Sequence, residues 1–146
     1  MYDTILVPTN GSDEAAMAAE HAVGLAADIG ATVHALYVID LPGAPRALAL
    51  RDDEERMRKE YREYGEEVTE ALAGMAADAG VDCVTALRSG AVHEEIIDYA
   101  DEEGMDAIVV GSGYQGKLGG LLGSVAEKVV RASTIPVISL RKGETD

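Results

Sequence analysis

Five short runs of apolar, often β-branched residues recur along the chain, and each is separated from the next by a longer stretch of helical periodicity. The runs are TILVPT (4 to 9), TVHALYVID (32 to 40), VDCVTALR (81 to 88), DAIVVGS (106 to 112) and PVISLR (136 to 141). This alternation narrows the fold more than any other feature, because it is the pattern of repeated strand-helix units around a parallel sheet. Five strands and four helices follow. The first helix is expected to be capped by Ser12, with Asp13 and Glu14 in its first turn, and to stop at Gly30. The second presents Met57, Tyr61, Tyr64, Val68, Leu72, Met75 and Ala79 at spacings of three and four before Gly80, a stripe expected to be core. The third runs from about Ala91 to Glu103, with Val92, Ile96, Ile97 and Ala100 inward, and Gly104 ends it. The fourth is short: Ser124 and Glu127 spell a capping box that predicts its start, and Pro136 requires it to have ended.

With 146 residues and no long Pro/Gly/Ser-rich linker, residues 1 to 146 read as one domain with a proper interior. The beginning, MYDTILVPTN, lacks the basic flank and apolar core of an export signal, and no run of 18 apolar residues occurs, so no membrane association is expected. Cys83 is the single cysteine and sits in an alternating segment as a small hydrophobe. A reducing cytoplasm fits it. The 27 acidic against 12 basic residues give a net charge of -15, and no Lys/Arg cluster offsets it. Nucleic acid is therefore not expected as a partner, since a phosphate backbone is held by basic patches. Such acidity serves solubility, and also suits a salt-rich cytoplasm in which self-repulsion is screened within about 3 Å at 1 M.

The glycine-rich stretch VVGSGYQGKLGGLLGSVAEKVV (109 to 130) meets several phosphate-loop patterns at once. Gly111, Gly113 and Gly116 spell a dinucleotide fingerprint, and Gly111, Gly116 and Lys117 spell a P-loop without its final hydroxyl residue. Both require a helix to open at the last glycine or the lysine, where its N–H groups meet phosphate. Gly119 and Gly120 follow instead, each costing about 1 kcal/mol inside a helix. The strand after the loop also ends in Leu140 and Arg141, not in an acid for a ribose. What remains is a long loop delivering Gly123, Ser124 and Val125 as the opening turn of a helix, an arrangement that attracts anions.

The whole chain resembles the universal stress protein family, small α/β proteins of which many bind ATP or another adenine nucleotide. The resemblance rests on YDTILVPTNGSDEA, GATVHALYVID, HEEIIDYADEEGMDAIVVGS and LLGSVAEKVVRASTIPVISL. It implies a doubly wound five-stranded parallel sheet in the order 3-2-1-4-5, with a ligand at the switch point between strands one and four. Pro8, Thr9 and Asn10 would then lie near a ribose, and Val38 would offer backbone bonds to adenine. Gly111 and Gly113 would lie under the phosphates, capped by Gly123, Ser124 and Val125. Two departures stand out. The family's loop reads G-x-x-G, nine residues, then G-S or G-T, and here Val110 occupies the first glycine's place. The family's Asp after the first strand, which looks toward ribose and metal, is Asn10. Nucleotide choice, ATP or AMP, and an accompanying Mg or Mn stay open on these grounds.

No Ser/His/Asp or paired-carboxylate arrangement is tied to the loop by spacing, so slow ATP hydrolysis is the most that enzymatic chemistry would amount to. His21, His34 and His93 show no metal spacing. Strand five is an edge in the order 3-2-1-4-5, and IPVISL carries no inward charge to keep a second copy away. A homodimer through it is expected, as in many family members. The alternative function is a family member that binds no nucleotide and works through protein contacts, with a partner the sequence does not name.

Overall fold

Ile5, Leu6 and Val7 are all fully shielded from solvent, although successive strand residues point to opposite faces of a sheet. Such a strand needs helices on both sides. The structure, a computed structural model, describes residues 2–40, 51–112 and 121–141. Its elements run β1 (Thr4–Pro8), α1 (Asp13–Ile29), β2 (Thr32–Ile39), α2 (Arg51–Asp78), β3 (Cys83–Ser89), α3 (Val92–Glu102), β4 (Ala107–Ser112), α4 (Leu121–Ala132) and β5 (Val137–Arg141). The strands form one sheet in the order β3-β2-β1-β4-β5, with every pairing parallel. The parallel sheet is the one expected from the alternation, and its doubly wound order is the one the family resemblance implies.

Alternation along β1 and β4 divides the interior into two layers. Ile5, Val7 and Val109 pack with Ala18, Ala22 and Ala26 of α1 and with Leu72 and Ala76 of α2. Leu6, Ile108 and Val110 pack on the other face with Ile96 and Tyr99 of α3 and Ala126 and Val129 of α4. The alanine-rich face of α1 lets its backbone come close to the sheet. Asp106 ties the two central strands at their start: its Oδ2 accepts from the Asp3 and Thr4 N–H groups at 2.8 and 3.1 Å. Those bonds hold the Asp106 carboxyl below the usual carboxylate range.

The helix punctuation is as read for α1, where Ser12 Oγ accepts from the Ala15 N–H at 3.1 Å and Gly30 closes the helix at φ 76°. On α3, Ile96 and Ala100 are buried and Val92 and Ile97 pack against the same layer. Two expectations are corrected. α4 opens at Leu121, not beyond Ser124. Leu121 and Leu122 are good helix formers, so the helix begins directly after the glycine pair, and Ser124 becomes its fourth residue instead of its cap. The stripe on α2 is core only in its second half. Leu72 is buried and Val68 and Met75 are half-buried, but Met57, Tyr61 and Tyr64 are 39%, 38% and 43% exposed, and Ala79 is exposed too. The packed line instead passes through Gly65, Thr69, Leu72 and Ala76. The 28 residues of α2 span about 42 Å at 1.5 Å per residue, well beyond the strands it covers, so its first turns reach past the sheet.

Two glycines differ in what surrounds them, and this gives a paired expectation. Gly24 lies mid-helix in α1 with no atom within 4 Å of where a β-carbon would stand, whereas a β-carbon at Gly111 would lie 2.7 Å from the Glu14 carbonyl carbon. Gly24→Ala should therefore stabilise the fold by about 0.5–1 kcal/mol through lower chain entropy in the unfolded state. Gly111→Ala should destabilise it by about 1–3 kcal/mol by forcing α1 away from β4. Urea denaturation of the two variants beside the parent measures both signs.

Candidate functional site

The sheet parts at its carboxyl end. β1 stays in register with β2 as far as Pro8 opposite Leu36, and the Thr9 N–H still donates to the Leu36 carbonyl at 2.9 Å. Its pairing with β4 stops earlier, at Leu6 opposite Ile108. Beyond that point the chain after β1 turns one way into α1, while β4 runs on alone beside β5. A crevice at a topological switch point is the result, and this is where doubly wound proteins hold ligands.

The turn from β1 to α1 is held by its own side chains. Asn10 Oδ1 accepts from the Ser12 N–H at 3.0 Å, and the Tyr64 hydroxyl of α2 donates to the Asn10 carbonyl at 3.1 Å. Between them Gly11 adopts φ 82°, and a β-carbon there would run into the Tyr64 hydroxyl. Tyr64 is fixed in turn by an edge-on contact with Tyr37 at 5.7 Å.

A cavity of about 510 Å³ fills the crevice. Of the residues singled out in the sequence, Pro8, Thr9 and Asn10 line it from β1 and its turn, Val38 from β2, Val110 and Gly111 from β4, and Val125 from α4. Gly113 lies outside the described residues, as do Gly116, Lys117, Gly119 and Gly120. Gly123 and Ser124 belong to the first turns of α4. Since the helix opens at Leu121, its unpaired N–H groups reach only to Gly123, and those of Ser124 and Val125 fall within the helical ladder. The anion-attracting end is thus shifted about one turn toward the loop. The first turn of α4 carries no acid, whereas α1 has Asp13 and Glu14 and α3 has Glu94 and Glu95. Its dipole is therefore not offset by a carboxylate in that turn.

Several wall residues escaped the sequence reading. Leu36, Val92 and Ile96 make an apolar side, Ser12 adds a hydroxyl, and Asp40 and Lys128 contribute one charge of each sign. Val92 and Ile96 had been read as core positions of α3, which they are, but their ends also face the cavity. Lys128 follows Val125 by three residues, a spacing that puts both on one face of a helix, so its place was legible once Val125 was assigned. Among the described residues no group of three or more His, Cys, Asp or Glu is placed to hold a metal ion.

Behind the apolar wall, α3 is fastened to β2 and β3 by a polar cluster. Arg88 contacts Glu102 at 2.6 Å and Glu95 at 3.5 Å, and its guanidinium lies 5.0 Å from the centre of the Tyr99 ring. His34 Nδ1 and the Tyr99 hydroxyl share a hydrogen bond of 2.8 Å. Burial lowers the pKa of His34 against the opposing charge of Glu103, and burial likewise raises that of Tyr99.

The fold and the crevice define a doubly wound α/β protein with a cavity at its switch point. The family model described as the universal stress protein family matches residues 1–141. The universal stress protein MJ0531 of Methanocaldococcus jannaschii is 34% identical over 143 residues, covering 97% of this chain and 84% of the relative. Among solved structures, that of MJ0577 from the same organism superposes with a TM-score of 0.82 at 29% identity, covering 99% of each chain. A universal stress protein solved in complex with cAMP gives 0.74 at 25% identity, covering 97% of this chain and 99% of that one. The chain belongs to the universal stress protein family.

A pH dependence follows from the cluster behind α3. Since burial lowers the folded-state pKa of His34 below about 6.5, the unfolded chain binds the proton more readily, and the stability this contributes is present above that pH and lost as pH falls through the folded value. Thermal melts of the parent and of His34→Gln between pH 7.5 and roughly pH 5 measure it. The advantage of the parent should shrink on acidification. A constant difference would contradict the assignment.

Proposed function

We propose that the switch-point cavity binds an adenine nucleotide, ATP or AMP, and that the protein is regulatory, its occupancy altering dimer or partner contacts. The observation that carries this reading is convergence: Pro8, Thr9, Asn10, Val38, Val110, Gly111 and Val125 come from four elements and line one cavity. Its volume, about 510 Å³, lies within the usual range for small-molecule sites of about 300–1,000 Å³. The apolar side formed by Leu36, Val92 and Ile96 suits a flat base, and the unpaired N–H groups of α4 suit phosphate. A relative that is held in complex with cAMP supports the same ligand class.

One observation favours a second reading, a member that binds no nucleotide and acts through protein contacts. Val110 puts a branched side chain on the cavity wall where the family's loop pattern has glycine. Mass spectrometry of ligand released from protein purified without added nucleotide separates the two. An adenine nucleotide at near-stoichiometric yield is expected. If none is released and calorimetry detects no binding, Val110→Gly tests whether that side chain is the obstacle.

The same proposal includes a homodimer through β5. β5 is the outer strand beyond β4, with Ile138 and Leu140 half-buried against the layer of α1 and α2 and Val137 against that of α3 and α4. An apolar edge of this kind invites a second copy, and a two-fold pairing closes at two subunits. Prolines placed singly at Ile138 and Ser139 remove N–H groups that point to opposite sides of the strand, so one of them should break the pairing. Light scattering should report a dimer for the parent and a monomer for at least one variant. Because a net charge of -15 is best screened in salt, the dimer should be firmer in molar than in millimolar KCl, as a salt-rich cytoplasm would require.

A further inference from the structure

The turn after β1 places an amide where the family pattern has a carboxylate, and the structure shows which way that amide faces. Asn10 Oδ1 accepts from the Ser12 N–H at 3.0 Å, so the oxygen is committed to the turn and the NH2 group is left on the other side. A carboxylate in this position would use one oxygen for Ser12 and offer the second as an acceptor, suited to a cation or a sugar hydroxyl. The amide offers two donors instead. Donors repel a metal ion and attract the oxygens of a phosphate or a ring.

The rest of the cavity wall agrees with that reversal. Lys128 is its one cation among the described residues, and it lies one turn beyond Val125 on α4, the helix whose first turn carries no acid. Asp40 is its one acid among the described residues, and it stands just past the end of β2, next but one after Val38. A magnesium ion bridging phosphates is ordinarily held by one or two carboxylates at the phosphate end of a site. Here the described carboxylate of the wall belongs to the end of β2, whereas the turn after β1 and α4 contribute an amide and an ammonium. In a chain of net charge -15, local positive charge also favours the approach of an anionic ligand.

We propose that this site takes its phosphorylated ligand without a divalent cation, the Asn10 amide and the Lys128 ammonium meeting the ligand's oxygens where a metal would otherwise do so. The proposal rests on the reading of the cavity as a nucleotide site and specifies its ionic chemistry. Both side chains are exposed, and Asn10→Asp keeps the acceptor that Ser12 needs, so neither substitution threatens the fold. Thermal melts of each variant confirm that.

Calorimetric titrations of the parent with ATP and with AMP, in EDTA and in millimolar MgCl2, test it. Affinity for the preferred nucleotide should agree within about twofold between the two buffers, a difference of about 0.4 kcal/mol. Lys128→Met should weaken binding by about tenfold or more in EDTA, with Lys128→Arg largely restoring it. Asn10→Asp should bind more weakly in EDTA and recover on addition of magnesium, acquiring a metal dependence the parent lacks. Tenfold tighter binding of the parent in magnesium would overturn the proposal while leaving the nucleotide reading intact, as would parent-like behaviour of both variants. No binding of either nucleotide in either buffer would overturn the nucleotide reading and this proposal with it.

Discussion

The structure depends on the burial of β1 from both faces. Ile5, Leu6 and Val7 are sealed above and below, and the strand is bonded on one edge to β2 and on the other to β4. Because its neighbours in the sheet are the second and fourth strands in sequence, the helices that follow β1 and β2 cover one face and the later two cover the other. The two faces share no helix, so the chain changes sides at β3 and comes back to add β4 on the free edge of β1. The parting of β1 from β4 after Leu6 follows from that change, and the cavity occupies the space it leaves.

The site inherits its rigidity from its borders. The turn from Thr9 to Ser12 is tied to β2 through the Thr9 N–H, to itself through Asn10, and to α2 through the Tyr64 hydroxyl. Across the crevice, α3 is anchored by Arg88 and by the His34–Tyr99 bond. Gly111 allows β4 to run against the backbone of Glu14 at the start of α1. A ligand in the cavity would touch α3, α4 and the turn into α1 together, so occupancy has a direct mechanical route to the packing of both faces.

Charge is distributed unevenly around this frame. The acids that make the chain so negative crowd the outward faces of α1, α2 and α3, where most are exposed. α4 is the exception at its opening turn, and Lys128 and the basic Arg131 follow on it. Local attraction for an anion thus coexists with a strongly repelling surface. For the proposed nucleotide, phosphate number and salt would both enter that balance.

The amino-acid sequence by itself determined the five strands, the four helices and most of their ends, because apolar runs, periodicity, Ser12 and Gly30 are local signals that the backbone obeys wherever it is placed. Its kinship with a known family carried the strand order and brought Pro8, Thr9, Asn10, Val38, Val110, Gly111 and Val125 to one place. It erred where local and tertiary effects compete. The capping box at Ser124 lost to two leucines that extend the helix toward the loop, and Met57 and Tyr61 stayed exposed because α2 is longer than the sheet beneath it, while Tyr64 at the sheet's end holds the turn after β1 instead of entering the core. Only the tertiary structure decided that Asp40 and Lys128 share a cavity, that Arg88 and His34 fasten its wall, and that the Asn10 amide turns its donors outward. Those facts depend on contacts between residues far apart in the chain, or on the direction of one side chain, and no periodicity records them.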